Sequence, residues 1–154
     1  MIIILEGPDG SGKSMLAEKI AKQTGFILMH RSYPKNELEK TRMINEYLEV
    51  IKSGTNVVFD RSWHSELVYG TVMRDDSVIT YPSMYELEKQ ICRNGGGLII
   101  YCTGKPNVLW DRCVARGEDY VTDFATFSKI CEAYDELMSL PHLLPVVKYE
   151  YQDL

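Results

Sequence analysis

Positive charge is scarce in this 154-residue chain: 17 Lys and Arg stand against 22 Asp and Glu, giving a formal net charge of −5, and the isoelectric point lies near 5.2. A broad nucleic-acid footprint needs clustered cations to displace phosphate counterions, so nucleic acid is not the expected partner, although a small local basic pocket is still allowed. Cysteine is also sparse. The four cysteines, Cys92, Cys102, Cys113 and Cys131, show no C-x-x-C spacing and no histidine cluster beside them, which argues against a zinc ribbon or a redox pair and for buried, reduced thiols. No apolar run approaches the roughly 20 residues of a membrane span, and the chain opens directly on an apolar strand and a glycine-rich loop with no leader pattern. Those absences predict a protein of the reducing cytoplasm with no membrane partner. No repeat, low-complexity tract or linker is visible, so residues 1–154 read as one domain, long enough to bury a core without staples.

What is present begins early. Gly7, Pro8, Asp9, Gly10, Ser11, Gly12, Lys13 and Ser14 fill every fixed position of the phosphate-binding pattern G-x-x-x-x-G-K-[ST]. The preceding Met1 to Leu5 is unbroken and isoleucine-rich, as in a strand buried on both faces of a parallel sheet. From Lys13 onward, Leu16, Ala17, Ile20 and Ala21 recur at helical spacing, which aims a positive dipole end at the same phosphates. Strand, loop and helix in that order imply a bound nucleoside triphosphate: Gly7, Asp9, Gly10, Ser11, Gly12, Lys13 and Ser14 form the ATP loop, Lys13 reaches the β- and γ-phosphates, and the Ser14 hydroxyl ligates Mg2+.

Apolar, β-branched runs recur at residues 2–5, 26–29, 56–59, 98–102 and 146–149, with amphipathic helical stretches between most of them. This alternation predicts an α/β protein with about five parallel strands and helices on both faces. A helix is expected over about 36–52, stopping at Gly54, and Gly95 to Gly97 mark the entry to the fourth strand. Phe124, Phe127, Cys131, Tyr134 and Met138 share one helix face suited to packing. Asp60, Arg61 and Ser62 follow the third strand directly. Ligands collect at the carboxyl ends of such strands, so Asp60 is a candidate Mg2+ ligand and Arg61 a candidate clamp on a transferring or accepting phosphate; a plain surface ion pair is the alternative.

These residues resemble a family. The run from Leu5 to Ser14 is similar to the opening of thymidylate kinases, where the loop reads Glu-Gly-x-Asp-Gly-x-Gly-Lys-[Ser/Thr], and Asp60 to Tyr69 is similar to that family's Asp-Arg-Tyr-x-x-Ser-x-x-Ala-Tyr, agreeing at Asp60, Arg61, Ser65 and Tyr69. The stretch from Leu98 through Arg116 and Gly117 resembles its strand, lid and Arg-Gly-Glu segment. The resemblance implies a P-loop kinase three-layer sandwich with strand order 2-3-1-4-5. It also implies ATP and Mg2+ as cofactors, and Asp9 on the acceptor's 3′-hydroxyl. A lid is expected near 112–123, where Arg112 and Arg116 lie four apart on one helix face and Gly117 ends the helix before Glu118 and Asp119. Fixed positive charge on the γ-phosphate is the main thing a protein adds to phosphoryl transfer, so Lys13, Arg61, Arg112 and Arg116 are the catalytic candidates.

The expected partner is a small-molecule nucleotide, and a homodimer is compatible with the sequence. Two acceptors compete. A nucleoside hydroxyl must lose a proton, whereas a monophosphate needs a cationic clamp. After the second strand the chain reads His30, Arg31, Ser32, Tyr33, with an arginine and no acid, which favours a (deoxy)nucleoside monophosphate such as dTMP gripped by Arg31 and Arg61. Asp60-Arg61-Ser62, with serine third, is also similar to the Glu-Arg-Ser of deoxynucleoside kinases, so that alternative stands beside it, as do a non-catalytic nucleotide-binding module and a kinase for a modified base in DNA. Around Asn36 to Lys40 no aromatic residue sits where thymidylate kinases stack thymine. Tyr33, Trp63 or Tyr69 would supply the face instead, with core packing as the alternative for Trp63; Ser65 and Tyr69, four apart, suit one wall of an acceptor pocket. His64 reads as an ordinary polar residue.

Overall fold

A computed structural model describes residues 1–31, 34–74, 77, 79–118 and 120–151. The strands are β1 (Ile2–Glu6), β2 (Ile27–His30), β3 (Val57–Asp60), β4 (Gly97–Thr103) and β5 (Val146–Glu150). The helices are α1 (Lys13–Thr24), α2 (Glu37–Lys52), α3 (Trp63–Arg74), α4 (Tyr81–Arg93), α5 (Pro106–Arg116) and α6 (Phe124–Ser139). The strands form one sheet in the order β2-β3-β1-β4-β5, every neighbouring pair parallel.

The isoleucine run explains the layering. Successive strand side chains face opposite sides of a sheet. Ile2 and Ile4 therefore pack into a core with α2, α3, α4 and α6, whereas Ile3 and Leu5 meet Leu16, Ala17, Ile20 and Ala21 of α1 on the other face. On the first face Tyr47, Phe59 and Trp63 meet edge to face, with ring centroids 4.9 to 6.3 Å apart. Truncating a buried aromatic of this kind costs about 3–5 kcal/mol, so the cluster firmly seats the start of α3 below the end of β3.

Helix ends follow local chemistry. The Asn36 side chain accepts from Glu39 N at 2.9 Å to start α2, and Asp123 accepts from Thr126 N at 2.8 Å to start α6. Thr80 caps α4, which carries a proline in its first turn. Against expectation, β2 runs one residue later and β1 extends to Glu6. Phe124 is exposed, although the rest of its helix face is buried, and Cys92 is exposed while the other three cysteines are buried. Burial pushes the Cys102, Cys113 and Cys131 thiols up to about 12, which leaves them inert. Among the described residues no helix is long and apolar enough to cross a membrane.

Candidate active site

The carboxyl ends of β1 and β3 lie side by side, Leu5 in register with Asp60, so the phosphate loop and the Asp60-Arg61-Ser62 segment leave the sheet together. The loop is packed too closely for side chains at two glycines. A Cβ on Gly7 would sit 1.9 Å from Cys102 O, and one on Gly10, at φ +79°, would sit 2.5 Å from Leu109 O. Gly12 precedes α1 in a left-handed conformation, and no side chain caps the helix. The first α1 amides are thus left to an anion. A cavity of about 50 Å3 lies among Asp9 to Met15, Arg116 and Glu118.

Lys13 is buried beside it, its Nζ 3.7 Å from Asp60 Oδ1. Burial lowers its pKa from the ordinary value and the nearby Arg61 charge adds to that, while Asp60, Asp9 and Glu6 oppose it. An ammonium held this way gains from a bound polyanion. Ser14 Oγ donates to Asp60 Oδ2 at 2.7 Å, and His30 Nδ1 approaches the same oxygen at 2.8 Å. Asp60 Oδ1 is buried without a hydrogen-bond partner among the described residues. A hydroxyl and a carboxylate oxygen in need of a cation form a hard-oxygen donor set that fits Mg2+.

Arg61 has φ 70°, unusual for a residue with a side chain, and such strain persists only where surrounding contacts hold it. Those contacts are identifiable. One guanidinium nitrogen pairs with Asp9 Oδ1; the other donates to Ser65 Oγ at 3.3 Å and Tyr134 Oη at 3.4 Å. The guanidinium carbon lies 5.1 Å from the Tyr69 ring centroid. Beneath it, Glu6 is fully buried. It accepts from Ser62 N (2.7 Å), Ser62 Oγ (2.8 Å), Ser65 N (3.2 Å), Ser65 Oγ (2.5 Å) and Tyr134 Oη (3.3 Å). One carboxylate at the end of β1 thereby ties down the first turn of α3.

Of the predicted acceptor residues, Asp9, Ser65 and Tyr69 meet around the Arg61 guanidinium, and Arg31 lies beyond them. Arg31 pairs with Glu46 at 3.2 Å and lies over the Tyr47 ring, at a cavity of about 460 Å3 shared with His30, Asn36, Arg42 and Met43. Ser65 faces a small space between Arg31 and Arg61. Tyr69 is fully buried, its hydroxyl donating to Asp9 Oδ2 at 3.4 Å, and Trp63 is wholly inside the core. Neither ring can receive a base in this conformation. Tyr33, Ser32 and Asp119 lie outside the described residues.

Arg112 and Arg116 do converge on the loop. Arg112 stacks on the Tyr151 ring at 3.8 Å from its centroid, with Nη1 buried near Gly12 and without a hydrogen-bond partner among the described residues. Arg116 lines the loop cavity, its Nε 3.7 Å from Glu118.

Sequence reasoning passed over Glu6, His30, Tyr47 and Tyr134. Glu6 was the legible one, a carboxylate ending an otherwise apolar buried strand. His64 is fully buried within a polar network, which corrects its reading as an ordinary polar residue.

Comparison with known proteins bears on the fold. A family model described as "ATPase family associated with various cellular activities (AAA)" matches residues 3–60, the span from β1 through the loop to Asp60. The chain is 29% identical over 138 residues to the SPbeta prophage-derived uncharacterized protein YorR of Bacillus subtilis (strain 168), covering 90% of this chain and 82% of that protein. The crystal structure of YorR in complex with phosphorylated GDP superposes with a TM-score of 0.80 at 26% identity, covering 97% of this chain and 85% of the other. Deoxyadenosine kinase from M. mycoides, with products dCMP and a flexible dCDP bound, gives 0.67 at 17% identity over 97% and 90%. A gluconokinase from Sinorhizobium meliloti 1021 gives 0.64 at 16% over 99% and 83%. The fold is that of the P-loop kinases, with the expected strand order.

Proposed function

We propose that this chain transfers the γ-phosphate of ATP to a (deoxy)nucleoside monophosphate, with dTMP the first acceptor to examine. The observation that supports this most is the gathering of Lys13, Arg61, Arg112 and Arg116 about one uncapped helix start, with a hydroxyl and a carboxylate suited to a metal, Ser14 and Asp60, beside Lys13. Loop amides and Lys13 hold the donor phosphates. Bound Mg2+, held by Ser14 and Asp60, would neutralise developing charge on the phosphates. Asp9 keeps Arg61 aimed across the loop until an acceptor arrives, when its carboxylate is free to take the sugar hydroxyl. Arg31 meets the acceptor phosphate from the neighbouring cavity, and the two α5 arginines close over the transfer and keep water out. The phosphorylated GDP bound to YorR supports a nucleotide ligand for this site.

A nucleoside acceptor is the second reading, favoured by His30. An imidazole hydrogen-bonded to a carboxylate can take a proton from a hydroxyl, and His30 combines its 2.8 Å contact to Asp60 with a half-exposed ring at the acceptor cavity. An ADP-release assay across deoxynucleosides and their monophosphates tests both. Turnover with monophosphates that survives His30→Gln supports the first reading, and turnover with nucleosides alone that fails in His30→Gln replaces it with the second. ATP binding without turnover on any acceptor refutes both and leaves a nucleotide-binding module.

A further inference from the structure

Three side chains from separate elements meet away from the phosphate loop. His64 lies in the first turn of α3, Glu88 on α4 and His142 in the turn between α6 and β5, and none is more than 2% exposed. One ligand-type atom from each lies within 4.8 Å of the others, the one such group among the described residues. Glu88 Oε2 stands 3.4 Å from His64 Nε2 and 2.8 Å from His142 Nδ1.

The surrounding hydrogen bonds fix which nitrogens carry protons. Ser62 Oγ donates to Glu6 Oε1, so it can only accept from His64 Nδ1, 2.9 Å away. His142 Nε2 faces the Leu137 carbonyl at 2.8 Å and must donate to it. In their neutral forms both imidazoles then aim bare lone pairs, His64 Nε2 and His142 Nδ1, at the same carboxylate oxygen. That arrangement repels unless an imidazole takes up a second proton or a metal cation sits among the three atoms, and a metal satisfies both lone pairs at once. The other carboxylate oxygen, Glu88 Oε1, is held by Leu143 N at 3.0 Å and Leu144 N at 3.3 Å, leaving Oε2 alone to serve the centre.

We propose that His64 Nε2, His142 Nδ1 and Glu88 Oε2 form a zinc site. Two histidines and one glutamate are a ligand set zinc uses, with water as the fourth ligand. The outer contacts match as well: metal-bound histidine donates its other N–H to a carbonyl or polar oxygen, which orients the ring. Zinc–ligand bonds of about 2.0–2.2 Å would draw these atoms, with Glu88 Oε2 now 3.4 and 2.8 Å from the two nitrogens, around a common centre. A groove of about 970 Å3, walled by Tyr85, Cys92, Pro141 and Leu143, brings solvent beside the His142 turn. The metal would pin α3, α4 and the α6–β5 turn together, and the Ser62–Glu6 contacts carry that constraint to the foot of the phosphate loop.

The site is independent of the acceptor reading, so its test does not depend on turnover. Protein purified without chelator is assayed for metal by mass spectrometry, then stripped and titrated with Zn2+ while the melting temperature is followed; Co2+ replaces Zn2+ for visible spectroscopy. The expected results are one zinc per chain, a rise of roughly 5–10 °C at a hundredfold excess over Kd, and a tetrahedral Co2+ absorption band. Glu88→Gln and His142→Gln should lose all three, whereas Asp60→Asn should keep them. The wild-type Co2+ spectrum decides the matter even where a variant fails to fold. Absence of that band together with no zinc-dependent thermal shift in wild-type protein overturns the site.

Discussion

Removing Glu6 should destabilise the fold through several hydrogen bonds at once. Its carboxylate accepts from two backbone amides, two serine hydroxyls and the Tyr134 hydroxyl. In Glu6→Ala the hydroxyls can re-pair, Ser65 with Tyr134 at 2.9 Å and Ser62 with His64 at 2.9 Å, and the Ser65 amide keeps the Ser62 carbonyl at 3.2 Å, but the Ser62 amide is left buried without an acceptor. An orphaned buried group costs about 1–3 kcal/mol, and the space left by truncating a fully buried side chain adds about 2 kcal/mol. Relief of the carboxylate's own desolvation offsets part of this, so the net loss should be roughly 2–4 kcal/mol. For a chain of this size that lowers the melting temperature by roughly 4–16 °C. Glu6→Gln fills the space, keeps an acceptor oxygen for the Ser62 amide and should lose only about 1 kcal/mol. Urea unfolding followed by circular dichroism measures both variants. A loss below about 1 kcal/mol in Glu6→Ala would show that the first turn of α3 does not depend on this carboxylate, and the account of Arg61's held conformation would fail with it.

Gly10→Ala should destabilise by more than about 2 kcal/mol, since its Cβ would lie 2.5 Å from Leu109 O at φ +79° and the left-handed conformation itself costs about 1–2 kcal/mol; thermal melting checks this. Arg112→Ala with Arg116→Ala should lower kcat at least about 100-fold while leaving the ATP Kd within about threefold, read by steady-state kinetics and calorimetry. Metal-stripped protein should draw stability from Glu88 and His142 in a defined pH window. Burial alone would raise Glu88, but its contacts with His142 and His64 hold it at about 2, below 4.5, so its contribution is present above pH 4.5 and fades as pH falls toward 2. For His142, burial alone would lower the pKa, but hydrogen bonds to Glu88 and the Leu137 carbonyl carry it above 6.5, so its contribution is full below 6.5 and is lost as pH rises through the raised value. The stability difference between wild type and His142→Gln should therefore peak between pH 4.5 and 6.5, and urea titrations across pH would show a flat difference if the pair were not ionised.

The sheet was legible because its signals are local: an isoleucine run, a glycine loop and a helix start stand within the first 24 residues, and parallel strands buried on both faces leave continuous apolar runs. The donor side was legible for the same reason. What escaped depends on contacts across the chain. Glu6 meets Tyr134 across 128 positions, and His64, Glu88 and His142 come together only because α4 and the α6–β5 turn pack against α3. Ser65 and Tyr69 suited one wall of a pocket by spacing, yet an (i, i+4) interval says which residues share a helix side and not whether that side faces a cavity or the core, and Trp63 took the core-packing alternative. His30 stood one residue from Arg31, and its pairing with Asp60 follows from the β2–β3 register, which no motif encodes.

Transfer of radiolabel from γ-labelled ATP to dTMP, resolved chromatographically with Mg2+ present, tests the central reading most directly. The account predicts labelled nucleoside diphosphate with wild-type protein and none with Lys13→Ala, which should remain folded. Label that passes only to water, or to dTMP equally well in Lys13→Ala, would contradict it.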